Sequence, residues 1–165
     1  MPRRGIFFKG EFIRGFEQII TPFDDKVCMT SVGNIMKTDV VCAEMDITLG
    51  KAIELCEDKR IRHLPIVDGG RQLVGLVTDR DLRYYASPRL GTISENKADR
   101  ESLERPIHLI MVHKVVVTSA DTPLWEAAQL MLDNRVGCLP VINFGRCVVG
   151  ILTTTDLIRY IAQSN

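Results

Sequence analysis

The chain carries no excess of charge of either sign. Its 165 residues hold 21 basic and 21 acidic side chains. A nucleic-acid surface usually needs a basic face, so the composition offers no argument for such a partner. Long apolar runs are also missing. None approaches the roughly 20 residues that cross a bilayer, so no membrane partner is expected. Near the start, Arg3 and Arg4 precede Ile6-Phe7-Phe8, but Lys9, Glu11 and Arg14 interrupt the run before a signal-peptide core can form. The five cysteines (Cys28, Cys42, Cys56, Cys138, Cys147) contain no C-x-x-C pair and no regular spacing. An odd count without a framework suits reduced thiols, so a cytoplasmic location is expected. His63, His108 and His113 form no metal-ligand spacing with them. There is no G-x-x-x-x-G-K-[ST] phosphate loop. No nucleophile can be paired from sequence with a base and an orienting acid, so no enzyme is expected.

What the sequence does have is repetition. Residues 35–86 align without a gap on residues 110–161 at a constant offset of 75, and 20 of the 52 positions are identical. Identities run from Ile35/Ile110 and Met36/Met111 through Arg60/Arg135 and Leu64-Pro65/Leu139-Pro140. They continue to Gly75/Gly150, Thr78/Thr153, Asp81/Asp156 and Tyr85/Tyr160. The two segments are an internal duplication.

Each copy reads locally in the same order. Val40-Val41-Cys42 and Val115-Val116-Val117 are short β-rich runs. Leu49, Ala52, Ile53 and Cys56 share one helical face, as do Leu124, Ala127, Ala128 and Met131. Asp121-Thr122-Pro123 marks a helix start, since proline is tolerated in the first turn. Leu64–Val67 and Leu73–Val77 are strands around the turn Asp68-Gly69-Gly70, and Leu139–Ile142 and Val148–Leu152 flank Asn143-Phe144-Gly145. A last helix carries Leu82 and Tyr85, or Leu157, Tyr160 and Ile161. The expected order per copy is β-α-β-β-α. A unit of about 52 residues buries too little surface alone, so two copies sharing a core are expected. The expected fold class is α/β, with two β-α-β-β-α repeats packed as one pseudo-twofold module. The divisions are an N-terminal arm over 1–30, repeat one over 31–87, a polar linker over 88–105 and repeat two over 106–165. A short helix is expected within the linker, around Lys97–Glu104.

The Ile-Met pair, His63-Leu64-Pro65-Ile66-Val67-Asp68-Gly69 and the G-x-x-T-x-x-D stretches at Gly75–Asp81 and Gly150–Asp156 resemble CBS (cystathionine-β-synthase) repeats. The resemblance covers about residues 31–162. It implies a regulatory, non-catalytic module whose clefts take AMP, ADP, ATP or S-adenosylmethionine and pass the signal to a partner. In that family the motif Asp accepts from a ribose diol and the Thr sits by the ribose-phosphate, which points to Asp81 and Thr78, and to Asp156 and Thr153. A carboxylate suits two vicinal hydroxyls because it offers paired acceptors. Arg60 and Arg135 match positions of a phosphate-binding arginine, whose planar fork pairs two oxygens. The resemblance groups Asp81, Thr78 and Arg60 with Val116 and Val136, and Asp156, Thr153 and Arg135 with Val41 and Ile61. Each residue also has a plainer role: Thr-x-x-Asp caps a helix start, an arginine completes a helix end, and a valine fills a core. Gly75 and Gly150 mark a close approach of ligand or backbone. The clefts are expected to differ in charge, because Arg62-His63 and Asp79-Arg80 in copy one are replaced by Gly137-Cys138 and Thr154-Thr155 in copy two.

The arm is of another kind. Five of the six phenylalanines lie within residues 1–23, and Phe12, Ile13, Phe16, Ile19 and Ile20 fit one face of a helix. Such a face either packs on its own module or docks a second subunit. With no catalytic domain in the sequence, a pair of this kind is expected to act as a homodimer or on an unidentified partner protein.

Overall fold

The structure is a computed structural model that describes residues 30–163. The phenylalanine-rich segment lies outside the described residues. Copy one contains β1 (Ala43–Glu44), α1 (Leu49–Lys59), β2 (His63–Val67), β3 (Leu73–Thr78) and α2 (Asp79–Tyr85). A short helix α3 (Lys97–Glu101) with a 3-10 turn at Ser102–Glu104 falls in the linker. Copy two has α4 (Leu124–Asn134), β4 (Cys138–Ile142), β5 (Val148–Thr153) and α5 (Thr154–Gln163).

The duplication extends to the register. β2 and β3 pair antiparallel with a shift between Ile66 and Val67, and β4 and β5 shift between Val141 and Ile142. The hairpin turns rest on Asp68, whose Oδ1 accepts from Gly70 and Gln72 N–H groups, and on Asn143, which accepts from Cys147. The left-handed residue in each turn is an arginine, Arg71 or Arg146, rather than the glycine before it.

The first strands fall later than expected. Ala43 and Glu44 pair parallel with Ile66 and Val67, and the equivalent in copy two is a single bridge, Thr118 to Val141. The valine runs before them serve packing between copies. Val40, Cys42, Val115 and Val117 surround a shared cluster of Val67, Leu73 and Val148. The hairpin tips also join there: Leu73 N–H donates to Arg146 C=O at 3.0 Å, and Val148 N–H to Arg71 C=O at 3.3 Å.

Helix faces match the apolar spacing. Leu49, Ala52 and Cys56 of α1 are buried, as are Leu124, Ala127 and Met131 of α4. Thr48 caps α1 through its hydroxyl, whereas Pro123 is itself the N-cap of α4 and the helix begins at Leu124. Arg60 and Arg135 end these helices in the left-handed conformation, at φ of 51° and 54°.

The lead-in segments are exchanged. Ile107, Ile110 and Met111, which open repeat two, complete the core of copy one. Val32, Ile35 and Met36, which open repeat one, join the core of copy two. This explains two glycines. A Cβ on Gly75 would lie 2.3 Å from Met111 Sδ, and one on Gly150 would lie 2.4 Å from Met36 Sδ. The close approach that these glycines permit is that of a methionine from the opposite lead-in. The linker is likewise tied down. Asp99 is buried, accepting from Ser87 Oγ at 2.6 Å and Asn96 N–H at 2.9 Å.

Candidate functional site

Two clefts lie where the copies meet. The larger, about 450 Å³, is lined by Thr78, Asp79, Arg80 and Asp81 from the β3–α2 junction, and by Val112, Val115, Arg135 and Val136 from copy two. The smaller, about 170 Å³, is lined by Ile151, Thr153 and Thr155 of copy two and by Lys37, Val40, Val41, Arg60 and Ile61 of copy one. Arg62 and His63 line both. Only the larger falls within the roughly 300–1,000 Å³ usual for small-molecule sites.

The arginines are therefore grouped opposite to the expectation. Arg135 shares the larger cleft with Thr78 and Asp81, and Arg60 shares the smaller with Thr153. The reason is geometric. Each arginine ends the first helix of its own copy and is followed at once by Ile61 or Val136, so it travels with that residue to the facing copy's motif. Val116 packs in the core of copy two, and its neighbour Val115 lines the larger cleft instead. Val136 and Ile61 stand in the larger and smaller clefts, and Val41 in the smaller.

Both motifs form helix caps. Thr78 N–H and Oγ1–H donate to Asp81 Oδ2 at 3.0 and 2.7 Å, and Asp81 N–H returns a bond to Thr78 Oγ1 at 3.2 Å. Thr153 makes the same pair of bonds to Asp156 Oδ2, at 3.0 and 2.5 Å. Capping and ligand binding remain compatible, because a cap uses one carboxylate oxygen and leaves the other.

The second oxygens separate the copies. Asp81 is half-buried, and its Oδ1 has no hydrogen bond or ion pair among the described residues. Asp156 is buried, and its Oδ1 accepts from Arg159 Nη1 at 3.1 Å and lies 3.8 Å from Lys37 Nζ. It lines a separate depression with Thr30, Arg159 and Tyr160, and Lys37, which meets it, lines the smaller cleft. Lys37 and Arg159 belong to no motif, yet the aligned copies carried the signal. Their counterparts are Val112 and Tyr84, neither of which can neutralise Asp81.

The electrostatics of the larger cleft favour an anion. Arg62, Arg80 and Arg135 face Asp79 and Asp81. Burial holds the His63 pKa below its ordinary value; Arg62 lowers it further, against an opposing pull from Asp79 and Asp81. His63 therefore favours its neutral form. Arg62 also reaches across to copy two, where its Nη2 donates to Thr155 Oγ1 at 3.2 Å. On the copy-two wall, burial pushes the Cys138 thiol up to about 12, with Asp156 adding to the shift. Such a thiol is an inert wall atom at neutral pH.

A tandem α/β module with a ligand-sized cleft between its halves is the class that these features define. Residues 32–87 and 107–163 match the CBS domain, and the chain belongs to that family. A CBS domain-containing protein of Dictyostelium discoideum is 33% identical over 128 residues, covering 77% of this chain and 88% of its own. The homoserine O-acetyltransferase of Methanohalobium evestigatum is 32% identical over 134 residues, 81% of this chain, but the match spans only 24% of that enzyme. Among solved structures, a CBS domain pair in complex with 5′-methylthioadenosine and S-adenosyl-L-methionine superposes with a TM-score of 0.70. It is 26% identical, over 82% of this chain and 98% of the other. CBSX2 in complex with AMP gives 0.69 at 26% identity, over 82% and 98%.

Proposed function

We propose that this protein is a regulatory module that binds an adenosine-containing nucleotide in the larger cleft and signals through a partner protein or as a homodimer in the cytoplasm. The carrying observation is the unengaged Oδ1 of Asp81, set in a cleft of about 450 Å³ beside three arginines and an apolar wall. Thr78 and Asp81 would take the ribose. Val112, Val115 and Val136 offer the base an apolar surface, and Arg135, Arg80 and Arg62 suit a phosphate. That charge favours AMP, ADP or ATP over S-adenosylmethionine. The structures crystallised with adenosyl ligands support the reading for a chain of the same fold. In the smaller cleft, Thr153, Arg60, Val41 and Ile61 form the weaker candidate, since Asp156 is already engaged.

A second reading has its own support. The Thr78–Asp81 cap is complete without a ligand, and Thr153 holds Asp156 Oδ2 through two bonds, as a purely structural interaction module would need. A thermal-shift panel with AMP, ADP, ATP, S-adenosylmethionine and NAD separates the two. A ligand that binds only the folded state at a hundredfold excess over Kd adds about 2.7 kcal/mol. A rise with adenine nucleotides supports the sensor, and a flat panel supports the structural module. Light scattering tests the dimer: a mass near 18.6 kDa at all concentrations would refute it.

A further inference from the structure

Copy one holds a further cavity between α1 and α2, of about 320 Å³, just within the range usual for small-molecule sites. Ile53, Cys56, Ile61 and Leu82 give it an apolar lining. Glu57 and Asp79 add two carboxylates, and Arg60, Arg62 and Arg83 add three guanidinium groups. Arg62 and Asp79 also line the larger cleft, and the Asp79 N–H donates to the Arg62 C=O at 3.0 Å, so one junction serves both cavities. Ile53, Glu57 and Arg83 line neither cleft. The duplication shows that the fold does not require this charge. The positions of Glu57, Arg62, Asp79 and Arg83 hold Leu132, Gly137, Thr154 and Ile158 in copy two, which forms the same helices and hairpin without them. At the floor, Cys56 stands where copy two has the bulkier Met131, and both are buried. The smaller side chain leaves room where the larger one would fill it.

The mixture of signs narrows the ligand. A simple anion would meet Glu57 and Asp79, and a simple cation would meet three arginines. A zwitterion with an apolar body has a partner for every part of the lining. The two carboxylates act on one buried atom: burial pushes the Cys56 thiol up to about 11, and Asp79 and then Glu57 add to the shift. The floor is therefore neutral at pH 7 and flanked by acids suited to an ammonium group. Arg83 Nη2 lies 4.0 Å from Asp79 Oδ2, too far for a hydrogen bond, so its fork keeps donors for a ligand carboxylate. An α-amino acid carries its ammonium and carboxylate on one carbon, beside a side chain that the apolar lining can bury.

We propose that the groove between α1 and α2 of copy one binds a free α-amino acid with an apolar side chain, its ammonium between Glu57 and Asp79 and its carboxylate on the arginines. The site is separate from the nucleotide reading and stands or falls without it. Titration calorimetry of the full chain with L-leucine tests it. Leucine should bind saturably, one per chain. 4-Methylpentanoate, which lacks the ammonium, and 3-methylbutylamine, which lacks the carboxylate, should each bind about tenfold or more weakly, since each loses a charge-assisted contact. Glu57→Gln with Arg83→Gln changes only exposed side chains, so the melting curve should hold while leucine affinity falls about tenfold. Arg80→Gln, which alters the larger cleft alone, should leave leucine binding unchanged. The proposal fails if leucine does not bind saturably, if the Gln pair leaves its affinity intact, or if 4-methylpentanoate binds as tightly. Loss of leucine binding in Arg80→Gln would move the ligand to the larger cleft and overturn it. Binding that appears only on dilution to the monomer mass in light scattering would overturn it as well, since a second copy would then cover the groove.

Discussion

The two clefts descend from one duplicated motif and differ in size and in what meets the motif acid. Thr78-Asp81 and Thr153-Asp156 share the two bonds from the threonine to one carboxylate oxygen, at nearly matching distances. They differ in what meets the remaining carboxylate oxygen. Arg159 and Lys37 engage it in copy two, whereas the equivalent residues in copy one are Tyr84 and Val112. A Thr-x-x-Asp pattern repeated in two places can therefore hold a helix start in both and leave an open acceptor in only one.

The comparison is broken most directly at the two acids. Asp81→Ala should weaken adenine-nucleotide binding about 10- to 100-fold, because a hydrogen bond to a charged group is worth about 1.5–3 kcal/mol. Asp156→Ala should leave that affinity unchanged and cost about 1 kcal/mol of stability through the lost cap. Titration calorimetry and denaturant unfolding on both variants read the two quantities separately. Equal losses of affinity would remove the distinction between the clefts.

The same comparison can be sharpened by exchange. Lys37→Val with Arg159→Tyr gives copy two the residues of copy one and releases Asp156 Oδ1. Calorimetric stoichiometry should rise from one nucleotide to two, the second binding more weakly in the smaller cleft. An unchanged stoichiometry would show that cleft size, rather than the engaged acid, is limiting.

The arginines allow a subtler test. Arg60 and Arg135 both sit in the left-handed region, where glycine is better accommodated. Arg135→Gly should hold or raise stability, by up to about 1 kcal/mol, while lowering affinity for a phosphate-bearing nucleotide several-fold. Arg60→Gly should have the same effect on stability and leave the larger cleft's affinity alone. A melting curve and a binding isotherm for each variant decide it. Loss of affinity from Arg60→Gly would restore the grouping expected from the family pattern.

The smallest expected effect is a pH dependence at His63, which lines both clefts. Its folded pKa lies below the ordinary 6.5, chiefly through burial. The unfolded chain therefore takes up its proton first on acidification. The stabilisation is fully present above about pH 6.5 and is lost as the pH falls below that value. His63→Gln should flatten the fall in stability between about pH 7 and pH 5. An identical slope in the variant would mean that other groups set the acid limit.

Much of this molecule is legible in its sequence. The fixed offset of 75 exposed the duplication. The α1 and α4 faces, the hairpins and the short linker helix followed from local spacing and turn residues. These features depend on neighbours within a few positions, where periodicity leaves a direct trace. The motif acids and threonines were visible for the same reason.

Other features were not legible, because they join residues far apart in the chain. The glycine of each motif reads as an opening for ligand until Met111 and Met36 are seen to occupy the space. Arg60 reads as a partner of Thr78 until the helix that it ends carries it to Thr153. Asp156 reads as the equal of Asp81 until Lys37 reaches it from the opposite lead-in and Arg159 from one turn along α5. The sequence by itself determined two copies, their element order and the chemistry available to each motif, since these rest on local pattern and composition. Only the tertiary structure decided which acid stays open, because that depends on the residues that the exchanged lead-ins bring against each carboxylate.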